Sequence, residues 1–368
     1  MDINKRILIS GYYGFNNSGD DAILKAIVKD IKKANGSIKI TALSNNPPFT
    51  EKIYGIHAVN RFKMKDVLKA IKDCDLFISG GGSLLQDITS TRSLLYYIAL
   101  MRLAKIYRKT IMVYANGVGP INKNINKILT RNILNKVDLI TLRDENSKIF
   151  LEGLKIKNRN IHVTADPVFT LEPSEDIIVN KIFVKEGIPL DKPLVGVSIR
   201  NWNNKERLIN NLAKAIDNII SKYGVNVVLI PMHYPEDLSI SESLSGKVTK
   251  KGCYLISNKY SVEDIMGIIK RLEIIIAMRL HSLIYAATQE IPMVGIVYDP
   301  KIEGFLRSIK MDHMCQVETV VYSQLIENIN FVWRNKENIK SRLSEYDKVM
   351  RQEALKNVDM ALELLNSR

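Results

Sequence analysis

Apolar positions along the chain fall in short unbroken runs, and these alternate with stretches of helical spacing. Arg6–Ser10 (RILIS) reads as a compact strand. Gly19–Lys33 places Ala22, Ile23, Ala26, Ile27 and Ile31 on one face, the spacing of an amphipathic helix. Ile38–Leu43 and Asp75–Ser79 (DLFIS) return as strands. Ser93–Ile106 reads as a helix, Thr110–Ala115 as a strand, Lys123–Lys136 as a helix and Leu139–Leu142 as a strand. Continuous apolar strands separated by helices predict a parallel sheet covered on both faces.

The pattern breaks over Glu172–Pro193, where acidic and proline-containing text (LEPSEDII, then GIPLDKP) separates two α/β stretches. The second half then repeats the theme. Leu194–Ile199, Val225–Pro231, Glu273–Met278 and Met293–Tyr298 read as strands, and Glu206–Ser221, Ser261–Arg271 and Ser282–Gln289 as helices. Ser261 and Asp264 have the spacing of a capping box. The chain closes on an amphipathic helix with Ile339, Leu343, Tyr346, Met350, Ala354, Val358, Ala361 and Leu365 as its buried stripe. The expected organisation is an N-terminal Rossmann-like domain over 1–172, a C-terminal one over 190–330, and a terminal helical segment over 331–368 packed across both. Two doubly wound domains with a closing helix form a GT-B-like architecture, and ligands are expected in a cleft at the carboxyl ends of the strands.

Composition narrows the function. Lys plus Arg number 53 against 39 Asp plus Glu, a formal charge of +14. Such a chain is drawn to phosphates, nucleic acid or an anionic membrane surface. The basic residues are spread along the sequence, and no aromatic-basic RNA-binding pattern interrupts them, so nucleic acid is not expected as a partner. The three cysteines are far apart, which excludes a disulfide framework and a cysteine metal site. The first apolar run ends at Gly11 and reads as a strand rather than a signal peptide. No run of roughly 18 apolar residues occurs. These features place the protein in the cytoplasm, with a possible station on the inner face of the membrane.

The candidate chemistry lies where predicted strands end. Gly11–Asp20 carries glycines at 11, 14 and 19, which does not fit the dinucleotide-binding glycine spacing. Its Asn16, Asn17 and Asp20 are candidate ligand contacts, against a reading in which the segment is only a tight turn capped by Ser18 or Asp20. Gly80-Gly81-Gly82 ends a strand and lets a backbone be approached closely. Gln86 and Asp87, just beyond, either bind sugar hydroxyls or start a helix. Asn116-Gly-Val-Gly-Pro120 supplies Asn116, and Arg143 leaves the strand Leu139–Leu142 with a fork suited to carboxylate or phosphate. Its alternative is a salt bridge to Asp144 or Glu145. In Met278-Arg279-Leu280-His281-Ser282 an arginine and a histidine two apart stand beside a helix N-terminus, which makes a phosphate cradle. Lys301 in YDPKIEG adds a further cation. There is no GxSxG elbow, no Walker A sequence and no metal-ligand spacing among the histidines, so no metal is expected.

Taken together, GYYGFNNSGDDAI, FISGGGSLLQD, ANGVGP, LRDENS, ADPVF, SIRNW, MRLHSLIYA and YDPKIEGF resemble the polysaccharide pyruvyl transferase family, particularly CsaB-type enzymes. The resemblance runs from Gly11 to Phe305. It implies a GT-B-like fold and transfer of a pyruvyl group from phosphoenolpyruvate, a co-substrate rather than a cofactor, onto a sugar as a cyclic ketal. It implies N-acetylmannosamine in a lipid-linked secondary cell wall polysaccharide precursor as acceptor, and so a link to S-layer anchoring. Donor contacts carry over to Arg143, Arg279, Leu280, His281 and Lys301, with His281 and Arg279 catalytic. The acceptor is assigned to Asn16, Asn17, Asp20, Gly81, Gly82, Gln86, Asp87 and Asn116, and Asp20, Asp87 and Asp166 are candidate bases. Two other readings stay open: a nucleotide-sugar glycosyltransferase on the same fold, and a non-catalytic saccharide-binding protein.

Overall fold

The structure is a computed structural model that describes residues 5–88, 90–203 and 205–367. The chain divides into two compact units, Met1–Thr170 with Met350–Arg368, and Leu171–Val349.

The first unit alternates strand and helix. Its elements are β1 (Arg6–Tyr13), α1 (Ser18–Ala34), β2 (Lys39–Ser44), α2 (Pro47–Tyr54), β3 (His57–Asn60), α3 (Met64–Asp73), β4 (Leu76–Ser79), α4 (Thr91–Ile106), β5 (Thr110–Asn116), α5 (Asn124–Leu134), β6 (Leu139–Leu142), α6 (Glu145–Gly153) and β7 (Ile161–Val163). The strands form one sheet in the order β3-β2-β1-β4-β5-β6-β7, with every pairing parallel. All four residues of β4 and all seven of β5 are buried, because helices cover both faces of the sheet centre. The first strand runs past Gly11 to Tyr13, with a register irregularity between Ser10 and Tyr13, so the loop before α1 is shorter than the glycines predict.

The second unit contains α7 (Asp176–Lys185), β8 (Leu194–Ser198), α8 (Lys205–Tyr223), β9 (Asn226–Leu229), α9 (Glu236–Ser245), β10 (Cys253–Leu255), α10 (Val262–Lys270), β11 (Leu272–Ala277), α11 (Leu280–Thr288), β12 (Met293–Val297), α12 (Pro300–Ser308), β13 (Met314–Gln316) and α13 (Tyr322–Arg334). Its sheet is again parallel, in the order β10-β9-β8-β11-β12-β13. The expected capping box opens α10, with Ser261 and Asp264 bonding each other's backbone. The terminal segment holds α13 and then a second helix, α14 (Lys336–Asn366), which belongs to the second unit up to Val349 and to the first from Met350. Along α14 the positions Ile339, Leu343, Ala354, Val358, Ala361 and Leu365 are buried, while Tyr346 and Met350, at the middle of the expected stripe, are only half-buried.

These two Rossmann-like parallel sheets establish the GT-B-like class. Parallel order places all strand carboxyl ends of a sheet on one edge, and the loops that leave this edge carry the residues considered next.

Candidate active site

In the first unit, the carboxyl edge brings together the loops after β1, β4, β5 and β6. Asn17 caps α1, its side-chain oxygen accepting from the Gly19 N–H at 3.1 Å. Its neighbour Asn16 is in the left-handed region at φ 59°. Gly82 bridges to Asn116, and the Gly117 N–H donates to the Gly82 carbonyl at 2.8 Å, so the triple-glycine loop and the Asn116 loop are held as one surface.

The glycines there answer first to protein packing. A side chain on Gly80 would collide with the Tyr13 hydroxyl, and a Cβ on Gly81 would lie 2.7 Å from Ile23. Gly82 has φ +84°, and its added Cβ would stand 3.3 Å from an Asp20 carboxylate oxygen. Asp20 thus lies at the bare backbone of the triple glycine. Asn116 is fully buried, and its amide donates to the carbonyls of Ser79 at 3.1 Å and Tyr114 at 3.3 Å. Gln86 accepts from the Ile88 N–H. The Asp87 carboxylate accepts from the backbone of Asn122 at 2.7 Å, the backbone of Lys123 at 3.1 Å and the amide of Asn126 at 2.8 Å. Partial desolvation raises its pKa, but these donors outweigh that effect and hold it below the ordinary carboxylate value.

Arg143 leaves β6 into the same edge, with its side chain 5% exposed. Its Nη1 donates to Asp166 at 2.9 Å and its Nη2 to Ser83 at 3.0 Å, while Asp144 stands 3.7 Å from Nε. The salt bridge weighed for Arg143 is therefore made chiefly with Asp166, and Asp144 caps α6 by accepting from the Ser147 N–H at 2.7 Å. Glycine at 117 is what gives the guanidinium room, since a Cβ there would stand 2.8 Å from Arg143 Nε. The chain beside Asp166 is pinned from α14. Asn357 accepts from the Thr164 hydroxyl at 2.8 Å and donates to the Ala165 carbonyl at 3.1 Å.

In the second unit, Met278–Ser282 is the turn from β11 into α11. Arg279 is the N-cap residue, extended at φ −76° and ψ 126°, and its side chain makes no cap bond. It reaches Asp237 at the start of α9 instead. Its Nε donates to Asp237 Oδ2 at 3.0 Å, and its Nη2 donates to the other carboxylate oxygen. Asp237 is 1% exposed and also accepts from the backbone N–H of His233 at 2.9 Å. A carboxylate buried this completely requires such compensation. His281 stands in the first turn of α11 with its ring edge toward Tyr285, centroids 6.4 Å apart. Ser282 closes the turn, its hydroxyl donating to the Arg279 carbonyl at 2.6 Å. Leu280 and Lys301 are half-buried, and Lys301 lies in the first turn of α12, whose cap Asp299 accepts from the Lys301 N–H at 2.9 Å.

The structure thus gathers Arg279, Leu280 and His281 on one turn, with Lys301 leaving the adjacent strand β12. Arg143 belongs to the first unit. Asp237 is the site residue that the chain text does not reveal, because it lies 42 positions from Arg279 in an ordinary acidic helix start. Among the described residues, no group of three or more His, Cys, Asp or Glu is placed to hold a metal ion. No helix among them is long and apolar enough to cross a membrane.

Comparison with known proteins adds the family. Residues 17–300 match the model described as polysaccharide pyruvyl transferase. A curated relative, the amylovoran biosynthesis protein AmsJ of Erwinia amylovora, is 22% identical over 404 aligned positions, covering 92% of this chain and 94% of the relative. The fold is similar to solved UDP-N-acetylglucosamine 2-epimerases. The Methanocaldococcus jannaschii enzyme gives a TM-score of 0.70 at 15% identity, covering 98% of this chain and 100% of its own. A putative enzyme from Listeria monocytogenes gives 0.70 at 12%, covering 98% and 96%. At such identities the likeness concerns the fold alone.

Proposed function

Because the chain belongs to the polysaccharide pyruvyl transferase family, we propose that it moves the pyruvyl group of phosphoenolpyruvate onto a lipid-linked saccharide as a cyclic 4,6-ketal and releases phosphate. Membership makes it a transferase with a saccharide acceptor; donor, acceptor sugar and ketal are the finer reading. The observation that carries this reading is the Arg279–His281 turn, with its guanidinium fixed by a buried aspartate at a helix start. Two cationic or protonatable side chains beside a helix N-terminus suit a ligand that carries both a phosphate and a carboxylate.

The reaction needs a proton on C3 of the donor, which leaves C2 electrophilic. One sugar hydroxyl attacks C2 and loses its proton, the C2–O bond to phosphate breaks, and a second hydroxyl closes the ring with loss of another proton. Arg279 and Lys301 stabilise the phosphate as its charge grows on departure. His281 supplies a proton, to C3 or to the departing phosphate oxygen. Asn16, Asn17, Asp20, Gly81, Gly82, Gln86, Asp87 and Asn116 are the acceptor's side of the proposal, with Asp20 as base at a sugar hydroxyl. N-acetylmannosamine of a secondary cell wall polysaccharide precursor is the proposed sugar, from the resemblance to CsaB-type enzymes, and the inner face of the cell membrane is the proposed place. A formal charge of +14 favours such an anionic surface.

Differential scanning fluorimetry tests the donor. Phosphoenolpyruvate is expected to raise the melting temperature, and UDP- and CMP-sugars to leave it unchanged. Stabilisation by a nucleotide sugar alone would point to a glycosyltransferase instead.

A further inference from the structure

Arg143 and Arg279 each sit against a buried aspartate, so each cluster carries little net positive charge. A neighbouring strand end in the second unit presents a different case. Arg200 lies two residues beyond the end of β8, half-buried. Its polar contact among the described residues is Nη1 to the Tyr298 hydroxyl at 3.0 Å, and it pairs there with no carboxylate. Its guanidinium carbon stands 4.7 Å from the centroid of the Tyr298 ring. The Nε is buried without a hydrogen-bond partner among the described residues, as is the hydroxyl of the fully buried Ser198 two positions earlier.

Register places this group. Ser198 pairs with Ala277, and the Met278 N–H donates to the Ser198 carbonyl at 2.8 Å. Arg200 and Arg279 therefore leave adjacent parallel strands, each two residues past a paired position. Neighbouring strands lie about 4.8 Å apart. Tyr298 follows β12, the next strand across. The side chain is also braced from behind: Trp202 packs on Tyr298 with ring centroids 5.1 Å apart, and its indole N–H donates to Glu318 at 3.0 Å. A half-buried guanidinium without a counter-charge, held by an aromatic ring, is arranged for an anion from outside the chain. The Tyr298 oxygen accepts from Arg200, which leaves its own hydrogen to donate to the same anion.

We propose that Arg200, with the Tyr298 hydroxyl, is an oxyanion contact of the donor site, taking the carboxylate or the phosphate of phosphoenolpyruvate beside Arg279. Only the choice of phosphoenolpyruvate rests on the proposed function; the oxyanion site rests on the geometry.

The test is isothermal titration calorimetry of the full chain with phosphoenolpyruvate, inorganic phosphate and pyruvate, for the wild type and Arg200→Gln, with melting temperature as the folding check. Arg200→Gln is expected to weaken phosphoenolpyruvate binding about 10- to 100-fold at an unchanged melting temperature. A parallel loss with phosphate identifies a phosphate contact, and a parallel loss with pyruvate a carboxylate contact. Wild-type affinity of Arg200→Gln for every anion that binds overturns the proposal, as does absence of binding of all three to the wild type. If phosphate binds in an Arg200-dependent way and phosphoenolpyruvate does not bind, the oxyanion site stands and the donor assignment falls. Should Arg200→Gln fail to fold, Arg200→Lys keeps the charge and loses the fork: a several-fold weakening supports the proposal and unchanged affinity overturns it.

Discussion

Arg279 and Asp237 form a two-point clasp, with Arg279 Nε 3.0 Å from one carboxylate oxygen and Nη2 bonded to the other. The carboxylate is 1% exposed, and the guanidinium and the backbone N–H of His233 supply the hydrogen bonds it has lost from water. Removing one partner of such a pair leaves the other buried and uncompensated. Asp237→Asn is expected to cost about 2–4 kcal/mol in urea unfolding, since the amide can accept but cannot balance the charge. It should also raise the donor KM at least tenfold, because Arg279 loses its orientation. A variant with wild-type stability and donor kinetics would show that the clasp neither holds the fold nor positions Arg279.

The space over Gly117 is filled by Arg143, with Nε 2.8 Å and Nη2 2.9 Å from where a Cβ would lie. Gly117→Ala must therefore push the guanidinium off Asp166 and Ser83. A loss of about 1–3 kcal/mol in stability is expected from overpacking, with a fall in kcat/KM. Gly153→Ala is the control, since nothing lies within 4 Å of its added Cβ at the end of α6. It should be neutral or slightly stabilising. If both substitutions behave alike, the close approach at Gly117 has no consequence.

Part of this layout is legible in the chain text, and part is not. β4 and β5 announce themselves as wholly buried runs. The edge strands β7 and β10 have three residues each, none of them fully buried, and only pairing with Ile140–Leu142 and Val227–Leu229 makes them strands. Arg279 and His281 are visible because they follow an apolar strand directly, at the start of a helix. Asp237 is not, since Tyr234-Pro235-Glu236-Asp237 looks like any capped helix start. The same limit hides Arg200: SIRNW shows an arginine at a strand end, but that the Arg279 guanidinium leaving the adjacent strand is paired with a carboxylate and this one is not is a property of the folded chain.

Asp30 gives the fold a pH dependence. Burial pushes its carboxyl up to about 6 from 3.8, although the Thr170 hydroxyl and the Lys29 and Lys33 charges pull the other way. Over that window the folded chain holds a proton that the unfolded chain has lost, so Asp30's contribution to stability falls as pH rises from about 4 to 6 and stays low above. Asp30→Asn should therefore stabilise the protein at pH 7.5, by about 3 kcal/mol at most, with the gain vanishing near pH 4. The Thr170 hydroxyl, 2.7 Å from Oδ2, can still donate to the amide oxygen. Urea unfolding at both pH values decides it: equal effects at the two would rule out the buried charge as the cause.

The formal charge of +14 predicts reversible adsorption to anionic lipid. In flotation assays the protein should rise with vesicles containing phosphatidylglycerol at low salt and stay behind at high salt, where charges are screened. Equal flotation with purely zwitterionic vesicles would attribute any binding to something other than charge.

The central claim is transfer from phosphoenolpyruvate through the Arg279–His281 turn, and release of inorganic phosphate measures it directly. Incubation with phosphoenolpyruvate and a synthetic acceptor containing N-acetylmannosamine should release phosphate only when both are present. His281→Ala, folded by circular dichroism, should reduce that rate by a factor of about 100 or more. Acceptor-dependent release at the wild-type rate in His281→Ala, or no release from the wild type with saccharide acceptors of any kind, would contradict the account.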